Sequence, residues 1–207
     1  MRVEVVDNHS VIVDVLRGGP VLDAGARGFV FAQHFAERGH RVIALDPDPD
    51  VEDPEIVGVN FMRYGIAAKS ATRLLEMTED PSARRLVRLS YVADTTRRTW
   101  TAYAFSIADL TAAVGQLRIF GWDLVKLNVE GEETDILAAW PGPIARQIVV
   151  SFHQHTDYKR PVAEIDAALD HMRQWYDVIS HESTDRYCAG FNWWDTQLLL
   201  KGVADGL

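Results

Sequence analysis

Short apolar runs that alternate with polar turns characterise the first part of the chain. Residues 20–46 contain an apolar run, a turn with Gly25 and Gly28, an amphipathic segment, and a second apolar run that ends at Asp46. Glycine supplies the backbone freedom that a strand-to-helix reversal needs. After the turn, apolar residues recur at helical spacing. This pattern predicts a strand, a tight turn, a helix and a second strand.

Further elements follow from the same hydrophobic pattern. Two apolar runs around a polar turn predict a hairpin, or a strand and connector, within residues 1–16. Other strands are predicted at 61–67, 100–106, 123–131 and 146–155, and helices at 134–140 and 161–176, with a short helix opening near residue 106. The last two segments, 177–181 and 194–201, have no helix between them and predict an antiparallel hairpin at a sheet edge.

Residues 69–98 are polar and basic and lack a clear period. One interpretation is an excursion of short strands and loops over the sheet, and the other is a lid that carries substrate contacts. The acidic run 46–53 is interpreted as solvated surface.

Composition limits the class of protein. The chain has 207 residues, 47% of them hydrophobic, which suffices for one sizeable core. We expect a single domain over residues 1–207, with 1–19 as an N-terminal strand or hairpin extension. The net charge of -9 argues against nucleic acid or an anionic membrane as the main partner. Because no apolar run approaches a membrane span and the first strand carries acids unsuited to a signal peptide, we expect a cytoplasmic protein. A single cysteine, Cys188, excludes an internal disulfide.

The glycine turn predicts a site for a nucleotide-like ligand. Asp46, about 20 residues beyond the turn, has the position from which Rossmann-type folds bind a ribose diol. The glycines do not follow the dinucleotide spacing G-x-G-x-x-G, and Asp23 precedes Gly25. An acid there repels a pyrophosphate but attracts a cation such as the amino acid end of S-adenosylmethionine. We therefore favour that methyl donor over a dinucleotide.

Polar residues interrupt the strand predicted over 123–131. The period of two places Lys126, Asn128 and Glu130 on one face, near the carboxyl end. Central strands of parallel sheets normally read as unbroken apolar runs, so these groups indicate a ligand pocket. The alternative is an internal ion pair of Lys126 with Glu130 that serves only the structure.

His153 and His155 lie two residues apart at the end of the next predicted strand, and therefore on one face. Imidazoles in this position can act as a base or bind a metal, and either can also be a structural histidine. With Glu130 and Asn128 they could hold a divalent ion. The same groups are typical of a metal-free base site, and we expect no metal.

Four segments in order, VLDAGARG, VIALDPDP, DLVKLNVEGEE and IVVSFHQH, resemble the FkbM-type methyltransferases, which use S-adenosylmethionine. The resemblance covers roughly residues 20–201. It implies an α/β fold with a doubly wound, Rossmann-like sheet of seven strands, mostly parallel with a C-terminal antiparallel hairpin, and helices on both faces. It also implies methyl transfer to oxygen, often on a sugar or a secondary metabolite.

The resemblance also assigns roles to individual residues. It places the first glycine motif at Asp23, Gly25, Ala26 and Arg27, the ribose-binding acid at Asp46, and the strand motif at Lys126, Asn128, Glu130 and Gly131. This sequence departs from the family pattern at two positions. Phe29 stands where the family has its second glycine, and Asn128 where it usually has Asp.

Two functions follow from these predictions. The first is an O-methyltransferase in which Glu130 and a histidine, His153 before His155, line the acceptor pocket and orient or deprotonate the nucleophile. Its partner is a small-molecule or glycan acceptor. The second is a methyltransferase-like domain without activity that serves as a binding or interaction module.

Overall fold

The structure is a computed structural model that describes residues 1–77, 84–87, 98–115, 121–154, 160–184 and 192–203. Within these ranges the strands are β1 (Val3–Val6), β2 (His9–Ile12), β3 (Val21–Ala24), β4 (Val42–Leu45), β5 (Val59–Met62), β6 (Gly65–Ile66), β7 (Ala71–Met77), β8 (Arg84–Val87), β9 (Thr99–Phe105), β10 (Trp122–Leu127), β11 (Ala145–Gln154), β12 (Tyr176–Thr184) and β13 (Asn192–Leu200). The helices are α1 (Val30–Ala36), α2 (Ile107–Gly115), α3 (Glu133–Ala138) and α4 (Val162–Met172).

The main sheet has seven strands in the order β12-β13-β11-β10-β3-β4-β5. Strand β13 runs antiparallel to both of its neighbours, and the other adjacent pairs are parallel. The predicted Rossmann-like, mostly parallel sheet with a C-terminal antiparallel hairpin is therefore confirmed. The hairpin strands are longer than the predicted segments 177–181 and 194–201, since they span Tyr176–Thr184 and Asn192–Leu200.

Both faces of the sheet are covered, but unequally. Along β3, Leu22 packs into a core with α2, α3 and α4, whereas Val21 packs on the other face with α1 and the β1–β2 hairpin. Every residue of β3 and β4 is buried, as expected for parallel strands covered on both sides. Helices therefore lie on both faces, as predicted, although within the described residues the second face carries only α1 and the hairpin.

A second sheet of four strands, in the order β6-β9-β7-β8, lies outside the main one. The strand predicted over 61–67 is divided between the two sheets, because β5 pairs with β4 and β6 pairs with β9. Strands β7 and β8 form a hairpin in the second sheet. The remainder of the 69–98 segment lies largely outside the described residues, and its role as cover or lid stays a prediction.

The N-terminal hairpin forms as predicted, with β1 and β2 antiparallel and Val6 opposite His9. Asp7 and Asn8 turn the chain with φ of 48° and 66°, a left-handed conformation that these two residue types tolerate well. Across the described ranges, no helix is long and apolar enough to cross a membrane.

Candidate functional site

The carboxyl ends of β3, β4 and β10 meet at one edge of the sheet because these strands are parallel neighbours. Their register places Asp23 beside Lys126 on one side and beside Ala44 on the other. Open α/β sheets bind their ligands at this edge, where the strand order reverses. The glycine turn, Asp46 and Lys126 are therefore brought together, as the sequence predicts. The strand predicted over 123–131 is too long, because β10 ends at Leu127 and Glu130, with a φ of 58°, lies in the loop beyond it.

A buried ion pair connects the glycine turn to the strand motif. The Lys126 ammonium donates to Asp23 Oδ1 at 2.9 Å and to the Gly25 carbonyl oxygen at 2.7 Å. Both charged side chains are only 1% exposed. The alternative pairing of Lys126 with Glu130 is therefore wrong, and the cation beside Asp23 is supplied by the chain itself.

Gly25 is required by the close approach of two loops. A Cβ at this position would lie 1.8 Å from the Asn128 carbonyl oxygen, and the backbone has a φ of +79°. Backbone hydrogen bonds hold the two loops in this position. The Asn128 amide donates to the Ala24 carbonyl at 3.0 Å. On the other side of the turn, the Gly25 and Ala26 amides both donate to the Leu45 carbonyl. Among the described residues, the buried Asn128 Oδ1 has no hydrogen-bond partner.

Phe29 stands where the resemblance to the FkbM family predicts a second glycine. It has a φ of 56°, the left-handed conformation that a glycine would adopt without strain. Its ring is nearly buried and meets Phe61 edge to face at 5.2 Å. Left-handed strain costs about 1 to 2 kcal/mol, whereas burying a phenylalanine contributes about 1.5 to 3 kcal/mol. Packing therefore compensates for the strained backbone.

Asp46 lies at the tip of β4 and is almost fully buried. Its Oδ1 accepts the Asp48 backbone amide at 2.9 Å. Burial raises the pKa of Asp46 to about 6, opposed by that backbone hydrogen bond and by the charges of Arg27 and Lys126. Asp48 is also buried and pairs with Arg27 at 3.0 Å, so the expectation that the acidic run is solvated surface is wrong at these positions.

Glu133 belongs to the site, although its position in the sequence predicts only a helix-stabilising acid in the first turn after residue 131. It is buried at the first position of α3 and accepts the backbone amides of Val129 and Gly131 at 2.9 and 2.8 Å. Its Oε1 also lies 3.1 Å from His153 Nδ1. The sequence contains a signal for this role, since Glu133 lies two residues after Gly131 at the start of a helix. An acid in that position can accept hydrogen bonds from the amides of the preceding loop.

His153 lies between two carboxylates at the end of β11. Its Nε2 is 3.7 Å from Glu130 Oε1, and its Nδ1 faces Glu133. Burial alone would lower the pKa of His153, but the charges of Glu130 and Glu133 outweigh it and raise the pKa to about 9. At neutral pH the ring is an imidazolium and has no lone pair to accept a proton. His155 lies outside the described residues, so its predicted role stays a prediction.

In the described part of the chain, no group of three or more His, Cys, Asp or Glu side chains is arranged to hold a metal ion. The expectation that the protein needs no metal stays a prediction, which the effect of a chelator on methyl transfer would test.

Comparisons with known proteins give likenesses of fold. No family model matches the chain, and no curated protein matches it significantly. Among solved structures, a Burkholderia thailandensis 1,6-didemethyltoxoflavin-N1-methyltransferase with bound S-adenosylhomocysteine is 17% identical, with 89% of this chain and 72% of that one covered and a TM-score of 0.44. A TehB-like SAM-dependent methyltransferase from Corynebacterium glutamicum is 13% identical, with 89% and 82% covered and a TM-score of 0.44. A chain of the fibrillarin/Nop5p complex is 12% identical, with 87% of this chain and 73% of that one covered and a TM-score of 0.46. Similarity at this level carries no conclusion about activity, and the resemblance to the FkbM family stays a prediction.

Proposed function

We propose that this chain is an S-adenosylmethionine-dependent methyltransferase that methylates a hydroxyl group of a small molecule or glycan. The observation that carries the proposal is the junction of Lys126, Asp23 and Gly25, with Asp46 at the next strand tip. A buried ion pair of this kind contributes little net stability compared with apolar packing. We therefore explain the presence of this ion pair at the ligand-binding edge by the conformation of the glycine turn that it stabilises.

The residues at this edge fit the cofactor. Two buried acceptor atoms, Asp23 Oδ2 and Asn128 Oδ1, lack a hydrogen-bond partner in the described ranges. Since buried acceptors are nearly always satisfied, donors of a bound ligand such as an ammonium or hydroxyl group are expected to complete them. Asp46 would bind the ribose hydroxyls, which donate well to a carboxylate. Gly25 and Ala26 leave the turn free of bulky side chains, and Arg27 holds it to Asp48.

The roles of Glu130 and His153 follow from their charges. When bound, S-adenosylmethionine supplies a methyl group activated by its sulfonium. The chain must hold an acceptor oxygen in line with that methyl group, and positioning accounts for most of the acceleration in such a displacement. As an imidazolium, His153 donates to Glu133 and attracts the Glu130 carboxylate through its charge, which orients Glu130. The Glu130 carboxylate then accepts a hydrogen bond from a hydroxyl group of the acceptor and orients the molecule, and this replaces the predicted role of His153 as a base.

Calorimetry with S-adenosylhomocysteine, the demethylated product, tests the proposal. The wild-type chain should bind it, and Asp46→Ala should weaken binding by about 5- to 150-fold, the equivalent of about 1 to 3 kcal/mol. Glu52→Ala removes the same charge from an exposed position in the following loop and should leave the affinity unchanged. Absence of heat and of a thermal shift at millimolar ligand would refute the cofactor assignment.

A cofactor-binding module without activity is the second candidate. It is favoured by Asn128, which removes the carboxylate that the family usually has in the strand motif. Labelled cofactor incubated with a broad set of hydroxylated metabolites distinguishes the two functions. Binding of S-adenosylhomocysteine without methyl transfer to any of them would support the module.

A further inference from the structure

A cavity of about 350 Å³ lies between the N-terminal hairpin and the main sheet. The hairpin contributes Val5 and His9 to its lining, and strands β12 and β13 contribute Ser180, Asp195 and Gln197. Ligand pockets have volumes on the order of 300 to 1,000 Å³. This cavity therefore has room for one small molecule.

The sheet side of the cavity is a polar surface. Asp195 pairs across the sheet with Ser151, and Gln197 pairs with both Val149 and Ser180, so these side chains share one face. The Ser151 hydroxyl donates to Asp195 Oδ1 at 2.5 Å. The Gln197 amide donates to the Ser10 carbonyl at 3.0 Å and ties the hairpin to the sheet. The hairpin side is partly apolar, with Val3 and Val5 exposed by 50% and 72%.

The cavity borders the candidate site. His153 follows Ser151 by two residues on β11 and thus projects from the same face. The charge of Asp195 is among those that raise the pKa of His153, and the charges of Lys126 and His153 in turn act on His9. His9 and Asp195, which line the cavity, therefore both lie within electrostatic range of His153.

His9 has properties that the proposed mechanism does not use. The residue is 2% exposed, and its ring meets the Phe31 ring edge to face at 5.9 Å. Within the described ranges, no hydrogen bond to either ring nitrogen is present. Burial, followed by the charges of Lys126 and His153, lowers the pKa of His9 well below 6.5. At pH 7 the ring is neutral and retains a lone pair, in contrast to the ring of His153.

We propose that this cavity is the acceptor pocket, that it takes a small polyhydroxylated molecule such as a monosaccharide, and that His9 is the base. The inference rests on the proposed function. Asp195 and Gln197 offer the acceptors and donors that sugar hydroxyls need, and Val3 and Val5 suit the apolar face of a sugar ring. The hydroxyl proton moves to the neutral nitrogen of His9 while the oxygen forms its bond to the methyl carbon. The C–S bond breaks, and its electron pair stays on the sulfur of the departing S-adenosylhomocysteine.

Nuclear magnetic resonance of the histidine-labelled protein tests the pocket. The probes are D-glucose, D-galactose and L-rhamnose, each at tens of millimolar with saturating S-adenosylhomocysteine. At least one sugar should shift the His9 signals. Val5→Trp, which narrows the mouth from an exposed position, and Ser180→Leu, which fills the cavity, should abolish the shift while S-adenosylhomocysteine affinity stays within twofold of wild type.

Kinetics with the sugar that binds test the base. His9→Gln should lower the methyl-transfer rate at least tenfold while the sugar affinity stays within threefold. His171→Gln, which changes a histidine on α4 on the opposite face, is the matched control and should alter neither. If His9→Gln does not fold, the sugar-binding measurements on the two cavity variants still decide the pocket.

The outcomes separate this inference from the proposed function. Bound S-adenosylhomocysteine with no sugar shifting His9, or shifts that persist in both cavity variants, would overturn the acceptor pocket alone. An unchanged rate in His9→Gln would overturn the base. Failure of S-adenosylhomocysteine to bind would instead overturn the proposed function, and the inference with it.

Discussion

The ammonium of Lys126 lies 2.9 Å from the carboxylate of Asp23, although the two residues are 103 positions apart in the chain. The same ammonium donates to the Gly25 carbonyl, so one side chain fixes both the end of β3 and the turn that follows it. One buried ammonium thereby links the two segments that the sequence assigns to the cofactor.

Lys126→Met should be strongly destabilising. It leaves the Asp23 carboxylate buried without its cation, and breaking a buried pair in this way costs about 3 to 5 kcal/mol. The double variant Asp23→Asn with Lys126→Met removes both charges and should lose less stability than Lys126→Met alone. Urea unfolding of Lys126→Met, Asp23→Asn and the double variant, each compared with the wild type, measures the coupling. Additive losses would show that the pair is not energetically connected.

Gly25→Ala and Gly28→Ala should differ sharply although both glycines have positive φ. At Gly25 the added Cβ meets the Asn128 carbonyl oxygen at 1.8 Å, whereas at Gly28 it meets nothing within 4 Å. We expect Gly28→Ala to cost about 1 to 2 kcal/mol of backbone strain. Gly25→Ala should cost at least about 3 kcal/mol and abolish S-adenosylhomocysteine binding, because the backbone of one loop must move. Equal effects in thermal unfolding and calorimetry would contradict the close approach.

The raised pKa of His153 predicts that stability falls in alkaline solution. With a pKa of about 9 in the folded state and 6.5 as its ordinary value, the stabilisation is fully present below about pH 6.5. It is lost as the pH rises through 9, by an amount on the order of 3 kcal/mol. Urea unfolding at pH 6, 7.5 and 9.5 measures the loss. Glu130→Gln should lower the pKa of His153 in an NMR titration, and an unchanged pKa would remove Glu130 as its partner.

Asp46→Asn should stabilise the free protein at pH 7 while weakening cofactor binding. Burial raises the pKa of Asp46 from 3.8 to about 6, so the ionised form is disfavoured in the folded state. Removing that charge should raise the free energy of unfolding by about 1 to 3 kcal/mol at pH 7. The gain should vanish by about pH 4, where the native carboxyl is already protonated. Thermal unfolding at both pH values measures the stability, and calorimetry with S-adenosylhomocysteine measures the binding. A lower stability of Asp46→Asn at pH 7 would contradict the prediction.

Local patterns in the amino-acid sequence were sufficient to predict several elements of the fold. The apolar run, glycine turn and amphipathic segment of residues 20–46 predicted β3, α1 and β4, and the polar turn at Asp7 and Asn8 predicted the first hairpin. The sequence also located Asp46 at the end of β4, because the carboxyl end of a strand can be recognised from the acid that terminates an apolar run. These properties depend on neighbours within a few residues.

The contacts of those residues depend on the folded structure. It paired Lys126 with Asp23 instead of Glu130, and it placed Glu133 against His153, because sheet register and loop packing join segments that are distant in the chain. The charge of His153 and the neutrality of His9 were equally beyond the sequence. Each pKa reflects burial and the summed charges of groups from several strands, and a one-dimensional pattern of residues contains none of those distances.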